Sequence, residues 1–313
     1  MAPDATHYYG ADSQQVIDCY IASPATAGSP TVIMLNAAGF GPAPTSGLTA
    51  NANTLRNLGC AVFVVGYRGD IGPTSSPFTA GTIGPGALPA FPMAVDDVVA
   101  GALWVKANAA TYFGDTTKLH FVAGSAGGTL AGLATADLLD LGYDVSSCQL
   151  MSSNTDWWSA IAFYRDVIAN PTTPYNAAWI ATIAATGGNT AGGHLTNIAN
   201  AYGTFHSNNA PPGAGGVGSL ERNIDTNLWP ESYFQQFSVA GRASRNASRC
   251  WWQVYNSSIE EIPLQQPYYL VDALTQVGTE ASLTILPGNK HGWNNWSACY
   301  QGISRFIRLA QTH

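Results

Sequence analysis

The chain has 313 residues, enough for one large α/β domain or two smaller ones, and 46% of them are hydrophobic, ample for a buried core. Only 10% are charged and the formal net charge is −7 with no basic cluster, which argues against a nucleic-acid partner; no apolar run is long enough for a membrane span. The five cysteines (Cys19, Cys60, Cys148, Cys250, Cys299) are widely spaced with no CxxC, so zinc ligation is not expected, while one or two disulfides stay open with at least one Cys left over.

Cys60, Cys148 and Cys250 lie in or beside apolar strand-like runs, where a small buried hydrophobe is the expected role. The N-terminus, MAPDATHYYG, shows no basic segment followed by an apolar one, so no signal peptide is visible. Low charge, few lysines and three sequons, at Asn246, Asn256 and Asn295, would suit a secreted protein whose leader was removed, and secretion is slightly favoured over the cytoplasm.

In chain order, Val16 to Ala22 alternates as a strand should, and Pro24 to Pro30 reads as a turn. Thr31 to Leu35 (TVIML) is a short continuous apolar run, the pattern of a strand buried on both faces, and it stops at Asn36-Ala37-Ala38-Gly39-Phe40. A helix from about Leu48 ends at Gly59, and Cys60 to Tyr67 is the next buried strand. A loop rich in Gly, Pro, Ser and Thr spans Arg68 to Pro92, and a helical pattern follows from Met93 to about Tyr112. The strand over His120 to Ala123 runs into Gly124-Ser125-Ala126-Gly127-Gly128 and a helix to about Leu141; Asp144 to Met151 is a further strand. Residues 152–249 break this rhythm with prolines and paired glycines. It resumes with a strand at Cys250 to Tyr255, a helix at Leu264 to Val277, a strand at Ala281 to Leu286 and a last helix at Trp296 to Ala310.

Strands alternating with helices argue for a mostly parallel sheet covered on both faces. Residues 152–249 read as an insertion over the carboxyl ends of the strands, whose aromatics (Trp157, Trp158, Phe163, Tyr164, Tyr175, Trp179, Tyr202, Phe205) either wall an apolar pocket or pack the insertion onto the body.

A strand that turns sharply into a helix through small residues can hold one side chain exposed above the sheet, here Ser125, with the Ala126 N–H and the helix N-terminus beside its hydroxyl. The run resembles the nucleophile elbow of the α/β-hydrolases, G-x-S-x-G, with Ala123 at the first Gly. It is most similar to the G-D-S-A-G-G form of the hormone-sensitive-lipase-like carboxylesterases, with Gly124 in place of Asp. Gly66-Tyr67-Arg68 and Phe91-Pro92-Met93-Ala94-Val95-Asp96-Asp97 are similar to the Y-R-L-A-P and F-P-A-A-V-E-D stretches of the same esterases.

A serine hydroxyl needs a base, and His is tuned for that near neutral pH. His291 follows the last expected strand in Pro287-Gly288-Asn289-Lys290-His291-Gly292-Trp293, similar to the P-G-x-x-H-G-[FW] of these esterases. In that family the acid follows the strand before the last. Its usual Asp, four residues before a Pro, is Ile259 here, leaving Glu260, which we favour, and Glu261. The H-G-G-G of the family corresponds to Asn36-Ala37-Ala38-Gly39, so the resemblance implies an oxyanion hole from Ala126 and Ala38, with Ala37 or Gly39 as a further donor.

The expectation is therefore an α/β-hydrolase fold: a single domain with a doubly wound, mostly parallel sheet and a helical lid at 152–249. It implies a serine carboxylic ester hydrolase acting through Ser125, His291 and Glu260 on a small apolar or aromatic ester, with no metal or organic cofactor. Lactonase, deacetylase or peptidase chemistry would use the same groups. The alternative from another class is a non-hydrolytic small-molecule binder, favoured by the altered Asn36-Ala37-Ala38 loop and the missing Asp at Ile259.

Overall fold

A computed structural model describes residues 1–37, 39, 44–68, 90–195, 235, 237–243 and 249–312. Eight strands form one sheet in the order β1-β2-β4-β3-β5-β6-β7-β8. They are β1 (Ala5–Tyr8), β2 (Val16–Tyr20), β3 (Ser29–Leu35), β4 (Ala61–Val65), β5 (Gly114–Gly124), β6 (Val145–Met151), β7 (Trp251–Ser257) and β8 (Ala281–Leu286). β2 runs antiparallel to both β1 and β4, and every pairing from β4 through β8 is parallel. The helices are α1 (Thr49–Asn57), α2 (Ala90–Asn108), α3 (Ala126–Asp140), α4 (Trp157–Ala169), α5 (Pro174–Thr186), α6 (Val239–Ala243), α7 (Gln265–Gln276) and α8 (Trp296–Gln311).

The continuous apolar runs have the two-sided burial they suggested. Ile33 and Leu35 of β3 join a core with α2, α3, α4 and α7, while Val32 and Met34 face a second core with α1 and α8. Alternate residues of one strand thus serve opposite faces, and both must be apolar. The edge strand β1 gives no such signal: three of its four residues are exposed, and it is held by backbone pairing to β2. β5 starts earlier than its apolar run, because Gly114 pairs with Ser29 and the Asp115 carbonyl accepts from the Thr31 hydroxyl at 2.7 Å.

All five cysteines are buried and free, which closes the question of a disulfide that the sequence left open and gives Cys60, Cys148 and Cys250 the buried role expected of them. Their burial raises the thiol pKa of Cys19, Cys60, Cys148 and Cys299 to about 12. Two sequons are also enclosed, with Asn256 1% and Asn295 2% exposed, so neither side chain can carry a glycan in the folded chain. The third, at Asn246, lies outside the described residues.

Candidate active site

The parallel strands carry the turns after β5, β7 and β8 to one edge of the sheet, where open α/β sheets place their sites. At the β5–α3 turn Ser125 has φ 52° and ψ −132°, a conformation that non-glycine residues rarely adopt. Its N–H continues the ladder to the Met151 carbonyl at 2.8 Å, and its own carbonyl accepts from Gly128 N–H at 2.9 Å. The small residues around it are required by contact. A Cβ on Gly127 would lie 2.5 Å from the Asn36 carbonyl oxygen, and one on Gly128 would collide with the Ser153 hydroxyl. Helix α3 therefore starts hard against the ends of β3 and β6.

His291 Nε2 lies 2.7 Å from Ser125 Oγ, and His291 Nδ1 lies 2.6 Å from Glu260 Oε2. A carboxylate only accepts, so Nδ1 carries the proton and Nε2 faces the serine hydroxyl as an acceptor. The Glu260 side chain is fully enclosed while that of His291 is 20% exposed. Burial opposes the imidazolium, but the charge and hydrogen bond of Glu260, with the charge of Glu261, outweigh it and hold the His291 pKa above the ordinary imidazole value. Glu261 turns away, with Oε2 3.5 Å from His194 Nε2. His194 is buried in the segment after α5, and burial, together with the charge of His291, lowers its pKa to about 3.

Two loops hold this row, and sequence reasoning missed the residues that pin them. Asn256 Nδ2 donates to the Ile262 carbonyl at 3.2 Å, closing the acid loop, and Ile262 N–H donates to Glu260 Oε2 at 3.2 Å. Asn295 Nδ2 (2.7 Å) and Ser257 Oγ (2.6 Å) both donate to the Lys290 carbonyl, fixing the residue before His291. Gly292, with φ 51°, lets the chain pass the serine: a Cβ there would sit 3.6 Å from Ser125 Cβ. Both asparagines open sequons, and that pattern concealed their structural work.

Ala126 opens α3, and amides of a first helical turn lack an intrahelical partner. Ala38 lies outside the described residues. The Ala37 N–H donates to Asn36 Oδ1 at 2.9 Å, so this amide is engaged by its neighbour, and Tyr67 OH donates to the Asn36 carbonyl at 2.9 Å. Arg68 makes a two-pronged ion pair with buried Asp97 at 2.6 and 2.8 Å, which ties the end of β4 to α2.

Of the aromatics expected in the insertion, Trp157, Tyr164 and Trp179 are buried in the main core, and Tyr202 and Phe205 lie outside the described residues. The three buried ones therefore pack the insertion onto the body. Gln266 at the start of α7 ties it down further: its Oε1 accepts from Thr155 N–H (2.9 Å) and Asp156 N–H (2.8 Å), and its Nε2 donates to Ser159 Oγ (2.8 Å).

The strand order, the antiparallel β2 and the serine at a strained strand-to-helix turn define an α/β-hydrolase fold. Solved structures agree. A truncated carbohydrate esterase from gut microbiota superimposes with a TM-score of 0.63 at 14% identity, covering 100% of both chains. An inhibited esterase B from Lactobacillus rhamnosis gives 0.62 at 13% identity, covering 100% of this chain and 89% of the other. Carboxyl esterase 2 from the mycorrhizal fungus Tuber melanosporum gives 0.59 at 14%, covering 95% and 80%. No family model and no curated protein matches the sequence.

Proposed function

We propose that this chain is a serine carboxylic ester hydrolase working through an acyl-enzyme. The observation that carries the reading is the continuous hydrogen-bonded row from Ser125 Oγ through His291 to Glu260. Ser125 Oγ attacks the ester carbonyl carbon while His291 Nε2 takes its proton, and Glu260 stabilises the imidazolium that forms. The Ala126 N–H and the N-terminus of α3 stabilise the tetrahedral oxyanion, with Ala38 as second donor. His291 then protonates the departing alcohol. Water, deprotonated by the same imidazole, attacks the acyl carbonyl and returns Ser125 to its starting state.

The substrate class we favour is a small apolar or aromatic ester. The lid expected at 152–249 lies partly outside the described residues, so only its described helices α4, α5 and α6 enter this reading. Structurally similar proteins named as esterases, one of them a carbohydrate esterase, support acyl-ester chemistry.

A second reading, a binding protein without hydrolysis, draws on one observation: the Ala37 amide is already occupied by Asn36 and is not a free oxyanion donor. Hydrolysis of p-nitrophenyl acetate, butyrate and benzoate by the wild type, Ser125→Ala and His291→Ala separates the two. The hydrolase reading expects a loss of at least about a thousandfold in kcat for either variant. Equal rates in all three proteins would reject it.

A further inference from the structure

Glu260 is three residues past the end of β7, so the sheet does not fix it directly. Its Oε2 accepts from His291 and Ile262, and its Oε1 has no hydrogen-bond partner among the described residues. The direction of the carboxylate therefore depends on where the surrounding backbone is held. That backbone is gripped from the insertion. Trp179 of α5, 2% exposed, donates its indole N–H to the Glu260 carbonyl at 2.8 Å. Tyr164 of α4, fully buried, donates its hydroxyl to the Glu261 carbonyl at 3.3 Å.

The two donors belong to one aromatic cluster. Phe163 meets Trp179 edge-on with ring centres 5.7 Å apart, and Tyr164 stacks flat on His194 at 4.5 Å. Gly188 closes the grip, since a Cβ there would lie 2.9 Å from Glu261 Oε1. Two consecutive carbonyls of the acid loop are thus tied to adjacent helices of the insertion, and buried hydrogen bonds of this kind hold their geometry because a broken one leaves an unsatisfied polar group.

We propose that Trp179, seconded by Tyr164, is a positioning residue for Glu260, so that the helices after β6 clamp the acid as well as cover the site. The inference rests on the hydrolase reading above. It makes the pKa of His291, and hence the pH profile, depend on a residue that touches neither substrate nor imidazole.

The test is the pH dependence of kcat/KM for p-nitrophenyl butyrate with the wild type, Trp179→Phe, Tyr164→Phe and Phe163→Leu, alongside Glu260→Gln. Trp179→Phe is expected to lower kcat about tenfold or more with little change in KM, because a small misplacement of a catalytic group is costly. It also moves the acidic limb to lower pH, because a displaced carboxylate supports the imidazolium less. Tyr164→Phe moves the limb the same way by less. Phe163→Leu loosens the same cluster without touching the acid loop, so it lowers Tm and leaves the limb in place. Folded Trp179→Phe and Tyr164→Phe proteins with wild-type kcat and an unmoved limb would overturn the clamp; if Trp179→Phe does not fold, Tyr164→Phe decides. Full activity in Glu260→Gln would instead refute the triad, so the two failures are distinguishable.

Discussion

Glu260 Oε2 meets His291 Nδ1 at 2.6 Å with the carboxylate fully enclosed, and under the proposed mechanism this pair governs how activity and stability respond to pH. As the proposed base, His291 must be neutral to accept the serine proton, and its pKa is held above the ordinary imidazole value. The acidic limb of kcat/KM is therefore expected above about pH 6.5. For stability the sign is the reverse. A raised folded-state pKa favours the protonated native form, so this contribution is full below the unfolded value and fades as pH rises through the folded one. Urea titrations of the wild type and Glu260→Gln across that window check it: the difference between them should shrink as pH rises.

His120 is expected to make the fold acid-labile. It is fully buried in β5 between Ser147 (2.9 Å) and Gln311 (2.7 Å), and burial lowers its pKa to about 4. The unfolded chain takes up this proton near the ordinary value, so stability falls as pH drops from about 6.5 toward 4, by on the order of 3 kcal/mol once both values are passed. In denaturant melts at pH 7 and pH 4.5, His120→Gln should lose less stability between the two than the wild type. An equal loss would mean that other groups cause the acid lability.

Gly128 and Ser153 should behave as a coupled pair. A Cβ on Gly128 would land on the Ser153 side chain, so Gly128→Ala should lose about 1–3 kcal/mol and much of its activity, and adding Ser153→Gly should recover a large part of both. Gly127→Ala should not be rescued in this way. Its Cβ would meet the backbone oxygens of Asn36 and Leu35 at 2.5 and 2.9 Å, which no side-chain trimming removes.

Gln266→Leu is expected to destabilise the protein by about 3 kcal/mol, because the buried amides of Thr155 and Asp156 lose their acceptor while the volume is kept. Thermal melts measure this directly. A change within about 0.5 kcal/mol would show that these amides find another partner.

Much of the fold was legible because buried parallel strands require continuous apolar runs; β3 and β4 stand out on that ground alone. Ser125 was legible because so tight a strand-to-helix turn demands small neighbours. What escaped notice depends on contacts between distant segments. β1 is a half-polar edge strand held by backbone pairing, and Gln266 looks like any polar residue at a helix start. Asn256 and Asn295 match a glycosylation pattern, and only the folded chain shows them stapling the acid and histidine loops. Trp179 reads in sequence as one of several aromatics that wall a pocket or pack the insertion, and only the folded chain shows its indole N–H holding the Glu260 backbone.

The most direct test of the central claim is labelling with a fluorophosphonate, which reacts preferentially with a serine activated by a base. The account predicts one phosphonyl group per chain, mapped by mass spectrometry to Ser125, absent in Ser125→Ala and strongly slowed in His291→Ala. An unlabelled wild type, or a label that stays on another residue in Ser125→Ala, would contradict it.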